Sequence, residues 1–474
     1  MSVETILMII VVASGFYMAW SVGANDVANA MGTSVGSGAL TVKRAVILAA
    51  ILEFMGAFFV GTHVSETIRK GIISPEIFTG NPLDLVFGMI GALLAAAIWL
   101  QIASYFGWPV STTHSIVGAV LGFGVMYGGV QAADWSEVVS IVMSWVASPL
   151  LSGTVAFLTF SAIRRLIFYN DDPITAAKKI TPVIVFLVFF VLTLAMVFKG
   201  LKNLKLDMGF GEATLVAIGI GAMASAISTL LVRRIKPLER KAVVMVKQPA
   251  KVMQALPKVI NKLNKISENA KGELKEKVSH ILAELEETNV EVTNEVVDEN
   301  NNQEYKVVER IFVYLQILSA GFVAFAHGAN DVANAVGPIA AVISILQTGL
   351  VGMKTAVPLW VLGLGGIGIV FGLATWGWRV MITIGKKITE LTPTRGFSAE
   401  FATASTIVIA SKLGIPISTT HTLVGGVLGV GLARGIGALN LRVVTNIMIS
   451  WVVTIPIGAA GAIMFYYILK AIFG

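Results

Sequence analysis

The sequence Gly-Ala-Asn-Asp-Val-Ala-Asn-Ala occurs twice in this chain, at residues 23–30 and again at residues 328–335. An eight-residue identity that places an Asn-Asp pair inside apolar sequence indicates a duplicated site. Two more landmarks repeat at nearly the same offset: Pro-(Val/Ile)-Ser-Thr-Thr-His at 109–114 and 416–421, and Ser-Trp at 144–145 and 450–451. The constant spacing predicts two halves that descend from one unit, with an insertion between them.

The composition predicts an integral membrane protein. Hydrophobic residues make up 55% of the 474 residues and charged residues 13%, whereas soluble domains carry about 25% charged residues. The apolar runs approach the length of a membrane-crossing helix and lack the alternation of barrel strands. The net charge of +7 does not indicate nucleic acid, because most basic residues flank apolar runs, where they mark the cytoplasmic side. The absence of cysteine excludes disulfides and thiolate metal sites.

The predicted fold class is an all-α integral membrane protein with about twelve crossings, built as an inverted repeat with broken or re-entrant helices. Crossings are predicted at 4–22, 45–62, 84–106, 109–130, 137–160, 181–199, 211–232, 311–327, 356–376, 398–413, 416–434 and 445–473. An odd number of crossings before the insertion gives the second half the opposite orientation. Inverted repeats place paired broken helices near the bilayer midplane, where secondary transporters bind substrates.

Four units follow from this count. They are a first repeat at 1–162, connecting helices at 163–232, a cytoplasmic helical insertion at 233–310 and an inverted second repeat at 311–474. We expect a multi-pass protein of the cell membrane with both termini outside. The insertion is basic in its first part and acidic in its second, with apolar residues at helical spacing. It is interpreted either as amphipathic helices near the anionic leaflet or as a solvated linker.

The two Pro-(Val/Ile)-Ser-Thr-Thr-His segments each predict a helix that starts inside the membrane. Proline ends the preceding helix and the hydroxyl residues cap the next one. Such a start presents free N–H groups and a positive dipole end. The predicted anion ligands are Ser111, Thr112, Thr113, Ser418, Thr419 and Thr420. Phosphate fits these donors, although the segments would also suit helix capping alone. His114 and His421 are expected to be packed residues rather than metal ligands.

The octapeptides supply acids and amides beside a predicted helix break at Gly23–Asp26, with a half-helix from Val27 to Val35. Oxygens of this kind bind hard cations such as sodium, although they would also cap half-helices at Val27 and Val332. The predicted cation ligands are Asn25, Asp26, Asn330, Asp331, Glu53, Glu400 and Gln101. Asp26 and Asp331 are also predicted to contact phosphate, by accepting the proton that the anion retains.

The paired motifs, together with Arg395-Gly-Phe-Ser-Ala-Glu400, resemble the inorganic phosphate transporter (PiT) family over essentially the whole chain. The resemblance implies phosphate symport driven by a cation gradient, twelve crossings in an inverted repeat, and a homodimer. Asp26 and Asp331 match the family's motif aspartates. Glu53 and Glu400 match acids of its sodium-coupled branch, so sodium is expected as co-substrate and no other cofactor.

Four other functions are weighed against sodium-coupled phosphate import. A proton-coupled phosphate permease or a sulfate permease would use the same fold and the same hydroxyl donors. A membrane-embedded phosphatase would need basic residues that clamp the phosphoryl group, and neither motif contains Arg or Lys. Broken helices in inverted repeats are more typical of transporters that work by alternating access than of an open anion channel. The sequence therefore predicts a transporter and not an enzyme.

Overall fold

The computed structural model describes residues 2–61, 72–199, 209–233, 250–295, 299–351, 357–412 and 417–474. Within these ranges the chain is helical, apart from one isolated antiparallel bridge between Ile73 and Ala133. The all-helical membrane fold predicted from composition is therefore confirmed.

The first half of the chain begins and ends with a long helix. Its helices are α1 (Val3–Gly36), α2 (Val42–Val60), α3 (Pro82–Phe106), α4 (Thr112–Gly128) and α5 (Trp135–Ile163). Two connecting helices, α6 (Pro173–Lys199) and α7 (Phe210–Arg233), pack against each other.

The insertion contributes α8 (Ala250–Asn269) and α9 (Glu273–Glu295), which also pack together. The second half then comprises α10 (Glu299–Thr348), α11 (Leu359–Thr375), the short α12 (Trp378–Ile382), α13 (Pro393–Lys412), α14 (Thr419–Arg434) and α15 (Leu441–Phe473). Because α10 is continuous from Glu299, the last residues of the predicted insertion form its first turns.

Each predicted crossing overlaps a helix in the described ranges, but these helices differ in length and polarity. Seven are long and apolar enough to cross a membrane, and an eighth counts if Leu359–Thr375 and Trp378–Lys387, bent by 56°, are taken as one span. The shorter or more polar helices fall outside this group. The helices α2 and α13, for example, carry charged residues. Twelve crossings and their inverted arrangement stay a prediction.

The break predicted within each octapeptide is wrong. Both α1 and α10 run through the motif without interruption, so no half-helix starts at Val27 or Val332. The glycines serve close helix packing instead. A Cβ on Gly23 would lie 2.0 Å from the carbonyl oxygen of Ile369, and one on Gly328 would lie 2.1 Å from that of Glu53. Tertiary contact outweighs the low helix propensity of Gly and Asn.

The interruption at residues 107–111 agrees with the sequence prediction. α3 ends at Phe106, where Gly107 adopts the left-handed conformation (φ 69°), and α4 begins after an extended segment. Ser111 caps α4 by accepting a hydrogen bond from the His114 amide, and Ser418 caps α14 in the same way from the His421 amide, both at 3.2 Å. Pro416, the second predicted breaker, lies outside the described residues.

The helix packing exchanges partners between the halves. α4 of the first half packs against α15 of the second, and α14 of the second half packs against α5 of the first. α1 packs against α3, α10 and α11, so the two octapeptide helices touch. This exchange brings the starts of α4 and α14 to the same place, beside the octapeptides.

Candidate functional site

The carboxylate of Asp26 lies where the two halves meet. Its Oδ2 accepts a hydrogen bond of 2.7 Å from the Thr112 hydroxyl at the start of α4. Its Oδ1 lies 3.3 Å from the Thr420 hydroxyl at the start of α14 and accepts a bond of 3.2 Å from the Asn29 amide. The residue is fully buried. A single carboxylate therefore receives donors from both hydroxyl motifs.

Asp331 repeats part of this arrangement in the second half. Its Oδ2 lies 3.3 Å from the Thr419 hydroxyl, and its Oδ1 accepts a bond of 2.8 Å from the neighbouring Asn330 amide. Thr112 and Thr419 hold corresponding positions in their motifs, so each aspartate is paired with the same threonine of its own half.

The last asparagine of each octapeptide contacts the opposite half. Asn29 donates to the Thr420 hydroxyl at 2.8 Å, and Asn334 donates to the Thr112 hydroxyl at 3.3 Å. Neither asparagine was among the predicted ligands. These crossed bonds connect the octapeptide of one half to the helix start of the other, and they orient the threonine hydroxyls that surround Asp26.

His327 connects three buried carboxylates. Its Nε2 lies 2.7 Å from Asp331 Oδ2 and 3.9 Å from Asp26 Oδ2, and its Nδ1 lies 3.3 Å from Glu53 Oε1. All four side chains are buried. We call these four residues the central acid group. When all three carboxylates are ionised, one imidazole leaves the group with a net negative charge, which attracts a cation.

The central acid group has the geometry of a cation site. Asp26, His327 and Asp331 each offer one ligand atom, and these atoms lie within 4.8 Å of one another. Neither oxygen of Glu53 has a hydrogen-bond donor among the described residues. Carboxylate oxygens suit hard cations such as sodium, whereas the imidazole nitrogen is the ligand that transition metals prefer.

Sequence reasoning missed His327. The residue directly precedes the second octapeptide, but the corresponding position before the first one is Val22. Duplication therefore gave no signal. The remaining cue was an imidazole inside an apolar run, next to a motif already assigned to ion binding.

Glu400 lies in a second, separate group. Its Oε1 accepts hydrogen bonds from Thr33 at 2.5 Å, Ser34 at 2.8 Å and Gln316 at 3.3 Å, and its Oε2 accepts one from Ser319. We call these five residues the Glu400 group. Thr33 follows Asp26 by two turns of α1, which corresponds to about 10 Å along the axis. The predicted cation ligands are thus divided between two places.

Asn25 supports the backbone that leads into α4. Its amide donates to the Trp108 carbonyl at 3.0 Å and to the Ser104 hydroxyl at 3.1 Å, and its oxygen accepts from the Val110 amide at 3.2 Å. The side chain is therefore engaged at both ends. Its contacts are those of a residue that holds the extended segment in place.

Gln101 is not part of the central acid group. Its side-chain oxygen accepts a hydrogen bond from the Tyr17 hydroxyl. Tyr17 precedes Asp26 by nine residues of α1, which corresponds to about 13 Å along the helix. Its contact is a helix–helix hydrogen bond, the alternative that the sequence also allowed.

The two Ser-Thr-Thr segments lie close together. The rings of His114 and His421, which follow the Ser-Thr-Thr segments, have centroids 4.3 Å apart. Ser111 and Ser418 are used as caps, while Thr112, Thr419 and Thr420 point their hydroxyls at the two aspartates. Thr113 is half-buried. The first amides of each helix have no intrahelical acceptor, so both starts offer donors to one shared region.

Comparison with known proteins identifies the family. Residues 22–462 match the model of the phosphate transporter family. The chain is 46% identical to inorganic phosphate transporter 2-1, chloroplastic, of Arabidopsis thaliana, over 97% of this chain and 71% of that protein. It is 44% identical to a putative phosphate permease of Chlamydia muridarum, over 98% of this chain and 99% of that one.

A solved structure is similar as well. It is that of the sodium-dependent phosphate transporter, and it superposes with a TM-score of 0.76 at 38% identity, over 98% of this chain and 99% of that one. These relatives are transporters and permeases, as the sequence predicted, and not enzymes. The resemblance drawn from the paired motifs is thereby confirmed: this chain belongs to the phosphate transporter family.

Proposed function

We propose that this chain is a secondary active transporter that imports inorganic phosphate together with sodium by alternating access. The observation that carries the proposal is the position of Asp26, which receives hydroxyls from the starts of both α4 and α14. Any anion held by those hydroxyls lies next to the central acid group. Anion and cation sites are therefore adjacent, which is what symport requires.

The adjacency makes anion binding depend on a cation. Two unit charges 4 Å apart interact by about 4 kcal/mol at an effective dielectric constant of 20. A phosphate beside Asp26 and Asp331 is repelled by that order of energy from each carboxylate. A sodium ion between the carboxylates and the phosphate reverses the sign of the interaction. Phosphate then binds well only after sodium, and neither crosses efficiently alone.

The anion would be held by hydroxyls and helix dipoles. Its proposed ligands are Thr112, Thr113, Thr419 and Thr420, the capping residues Ser111 and Ser418, and the free amides of both helix starts. A hydroxyl has one proton to donate, so Thr112, Thr419 and Thr420 would turn from the aspartates to the anion once sodium binds the carboxylates. Asp26 and Asp331 would accept the proton that phosphate retains at neutral pH. Neither motif supplies a permanent positive charge, so the anion is released once sodium leaves.

The proposed sodium ligands are the oxygens of Asp26, Asp331 and Glu53, with His327 as the group that orients them. Glu400 is proposed as a second cation ligand, because its Oε2 accepts only the Ser319 hydroxyl among the described residues. Asn25 and Gln101 are left out of ion coordination, since their oxygens accept protein donors.

The proposed architecture has twelve crossings in an inverted repeat, with both termini outside, residues 233–310 in the cytoplasm, and two copies in a homodimer. The central packing of α1 against α10 supports the repeat. Because the chain lacks cysteine, single cysteines at Ser2 and Ser267 would report the sides directly. Labelling of position 2 from outside and of position 267 only after permeabilisation is expected.

A proton-coupled permease is the second candidate, and one observation favours it. The imidazole of His327 lies 2.7 Å from Asp331, a distance at which a proton can pass between the two groups. A proton on the central acid group would reduce the repulsion between its carboxylates and phosphate, as sodium is proposed to do.

Uptake of radiolabelled phosphate into proteoliposomes tests the proposal. We expect an inward sodium gradient to drive accumulation, a proton gradient without sodium to drive little, and sulfate in excess to compete weakly. Accumulation that follows the proton gradient alone would favour the second candidate. Uptake of sulfate in preference to phosphate would exclude the proposed substrate.

A further inference from the structure

The repeated Ser-Trp landmark places two indoles against the two motif histidines. The rings of Trp145 and His114 have centroids 3.6 Å apart, and those of Trp451 and His421 are also 3.6 Å apart. With His114 and His421 in edge contact at 4.3 Å, the four residues form a continuous run of rings. We call this run the four-ring stack.

The four-ring stack is also hydrogen-bonded across the halves. The Trp451 indole N–H donates to the Pro109 carbonyl at 2.9 Å, just before α4. Nδ1 of His421 lies 3.3 Å from the Trp145 carbonyl on α5. Each half therefore supplies one indole and one imidazole, and both bonds join a side chain of the second half to a backbone carbonyl of the first.

The stack stands immediately behind the anion donors. His114 and His421 are the third residues of α4 and α14, and their amides bond to the capping serines. A rigid helix start cannot shift without moving its histidine ring. The distance between the two imidazoles therefore fixes the distance between the two sets of threonine hydroxyls.

The opposite side of the stack is open. A cavity of about 760 Å³ is lined by apolar residues of α5, α14 and α15, among them Leu150, Phe157, Leu428 and Met448, together with all four stack residues. Several of these residues are exposed on the apolar surface. All four rings line this cavity, and two of them belong to the first turns of α4 and α14.

The chemistry of His114 is that of a packing group. Among the described residues, neither of its ring nitrogens has a hydrogen-bond partner, and the side chain is buried. The same holds for Nε2 of His421. An imidazole that relayed protons or ligated an ion would be oriented by a second partner. We therefore interpret His114 as a packing residue whose flat ring contacts its neighbours.

We propose that the four-ring stack is a positioning element that sets the spacing of the two helix starts and thereby selects the size of the transported anion. The inference rests on the proposed function and deepens it. A tetrahedral anion must contact both Ser-Thr-Thr segments at once, so a fixed spacing favours phosphate over arsenate, its larger analogue of the same charge and shape. Removal of one ring would allow the starts of α4 and α14 to shift from this spacing.

Kinetics of phosphate and arsenate uptake in proteoliposomes tests this role. For His114→Ala we expect the KM for phosphate to rise about tenfold, since small displacements of binding groups carry such costs. The maximal rate should change much less, and the preference for phosphate over arsenate should narrow. His114→Phe restores a ring and should bring the KM and the preference back toward the original protein.

Two further variants keep the inference falsifiable if His114→Ala does not fold. Trp451→Phe retains a ring but loses the bond to Pro109, and an intermediate rise in KM is expected. Leu158→Ala, at an exposed cavity-lining position, is the matched control and should behave as the original protein. Gel filtration in detergent verifies folding of each variant.

Several outcomes would overturn the inference. If His114→Phe is as impaired as His114→Ala, the imidazole acts chemically and the stack is not a spacer. An unchanged preference between the two anions in a folded His114→Ala protein also contradicts size selection. If the unmodified chain shows no cation-driven phosphate uptake, the proposed function fails, and that result is distinct from either of these.

Discussion

The central acid group and the Glu400 group are both buried, yet they balance charge in opposite ways. In the Glu400 group one carboxylate receives four protein donors. In the central acid group three carboxylates share one imidazole, and Glu53 has no hydrogen-bond donor among the described residues. Burial alone therefore does not distinguish the two groups. The ratio of negative charges to donors does, and it makes the central acid group the stronger of the two proposed cation sites.

The difference has an energetic basis. A buried charge is tolerated when hydrogen bonds or an opposite charge replace the water it has lost. Glu400 obtains this compensation largely from hydroxyls on α1 and α10. The central acid group obtains less from the protein, and under the proposed function a bound cation supplies the rest. Its stability should therefore depend on the ion, whereas that of the Glu400 group should depend mainly on protein contacts.

Asp26→Asn gives the largest expected effect. The amide keeps the size of the side chain but removes the charge that is proposed to pair with sodium. It also replaces one of the two acceptor oxygens, which face Thr112 and Thr420, with a donor. We expect sodium-driven phosphate uptake to fall at least about a hundredfold, because interactions with a charged group at a buried site are worth several kcal/mol. Initial rates of labelled phosphate uptake in proteoliposomes measure it.

Asp134→Asn is the matched control for that change. Asp134 is an exposed cap of α5 that accepts from Ser136 and Glu137 amides, and asparagine caps helices equally well. Uptake by this variant should be unchanged. Undiminished uptake by Asp26→Asn would mean that the central acid group does not bind the driving ion.

His327→Gln separates orientation from charge in the central acid group. Glutamine can still donate to Asp331, but it cannot reach Glu53 and Asp331 at the same time. We expect sodium to bind about tenfold more weakly to this variant. The sodium concentration that gives half-maximal uptake should therefore rise about tenfold. A sodium titration at saturating phosphate measures it. If sodium dependence disappears while uptake persists under a proton gradient, coupling by protons is favoured.

Glu400→Gln tests the Glu400 group. The amide nitrogen would face some of the hydroxyls that now donate to the carboxylate, and the lost bonds to a charged group are worth about 1.5–3 kcal/mol each. We expect a lower melting temperature and a less steep sodium dependence, with uptake reduced by less than tenfold at saturating sodium. Loss of uptake as complete as in Asp26→Asn would erase the distinction between the groups.

Gly328→Ala gives the smallest expected effect on transport and acts through packing. The added Cβ would lie 2.1 Å from the Glu53 carbonyl oxygen, so α2 must move away from α10 and carry Glu53 away from His327. Overpacking of this kind costs about 1–3 kcal/mol. We expect a lower melting temperature and a sodium half-saturation raised by a few fold.

Gly219→Ala on α7 is the matched control, since a Cβ there meets no atom within 4 Å. Its melting temperature should be equal or higher, because alanine stabilises a helix interior relative to glycine. If both glycine variants behave alike, close contact between α2 and α10 is not what holds Glu53 in place.

Local chemistry allowed part of the site to be predicted. Proline at 109 and the hydroxyls that follow it predict a helix end and a new cap, and both are present because such signals act within a few residues of sequence. The octapeptide break was wrong for the complementary reason. Its glycines suggested an interruption locally, but Gly23 and Gly328 are placed by contacts with helices far along the chain.

The sequence by itself determined the membrane environment, the positions of the apolar helices, the family, and the pairing of acids with hydroxyl motifs, because composition and duplication are written in the residues. Only the tertiary structure decided which acids share a site. It added His327 to Asp26, Glu53 and Asp331, and it separated Glu400. Such groupings depend on which helices cross, and hydrophobic spacing along a single helix carries no information about its partners.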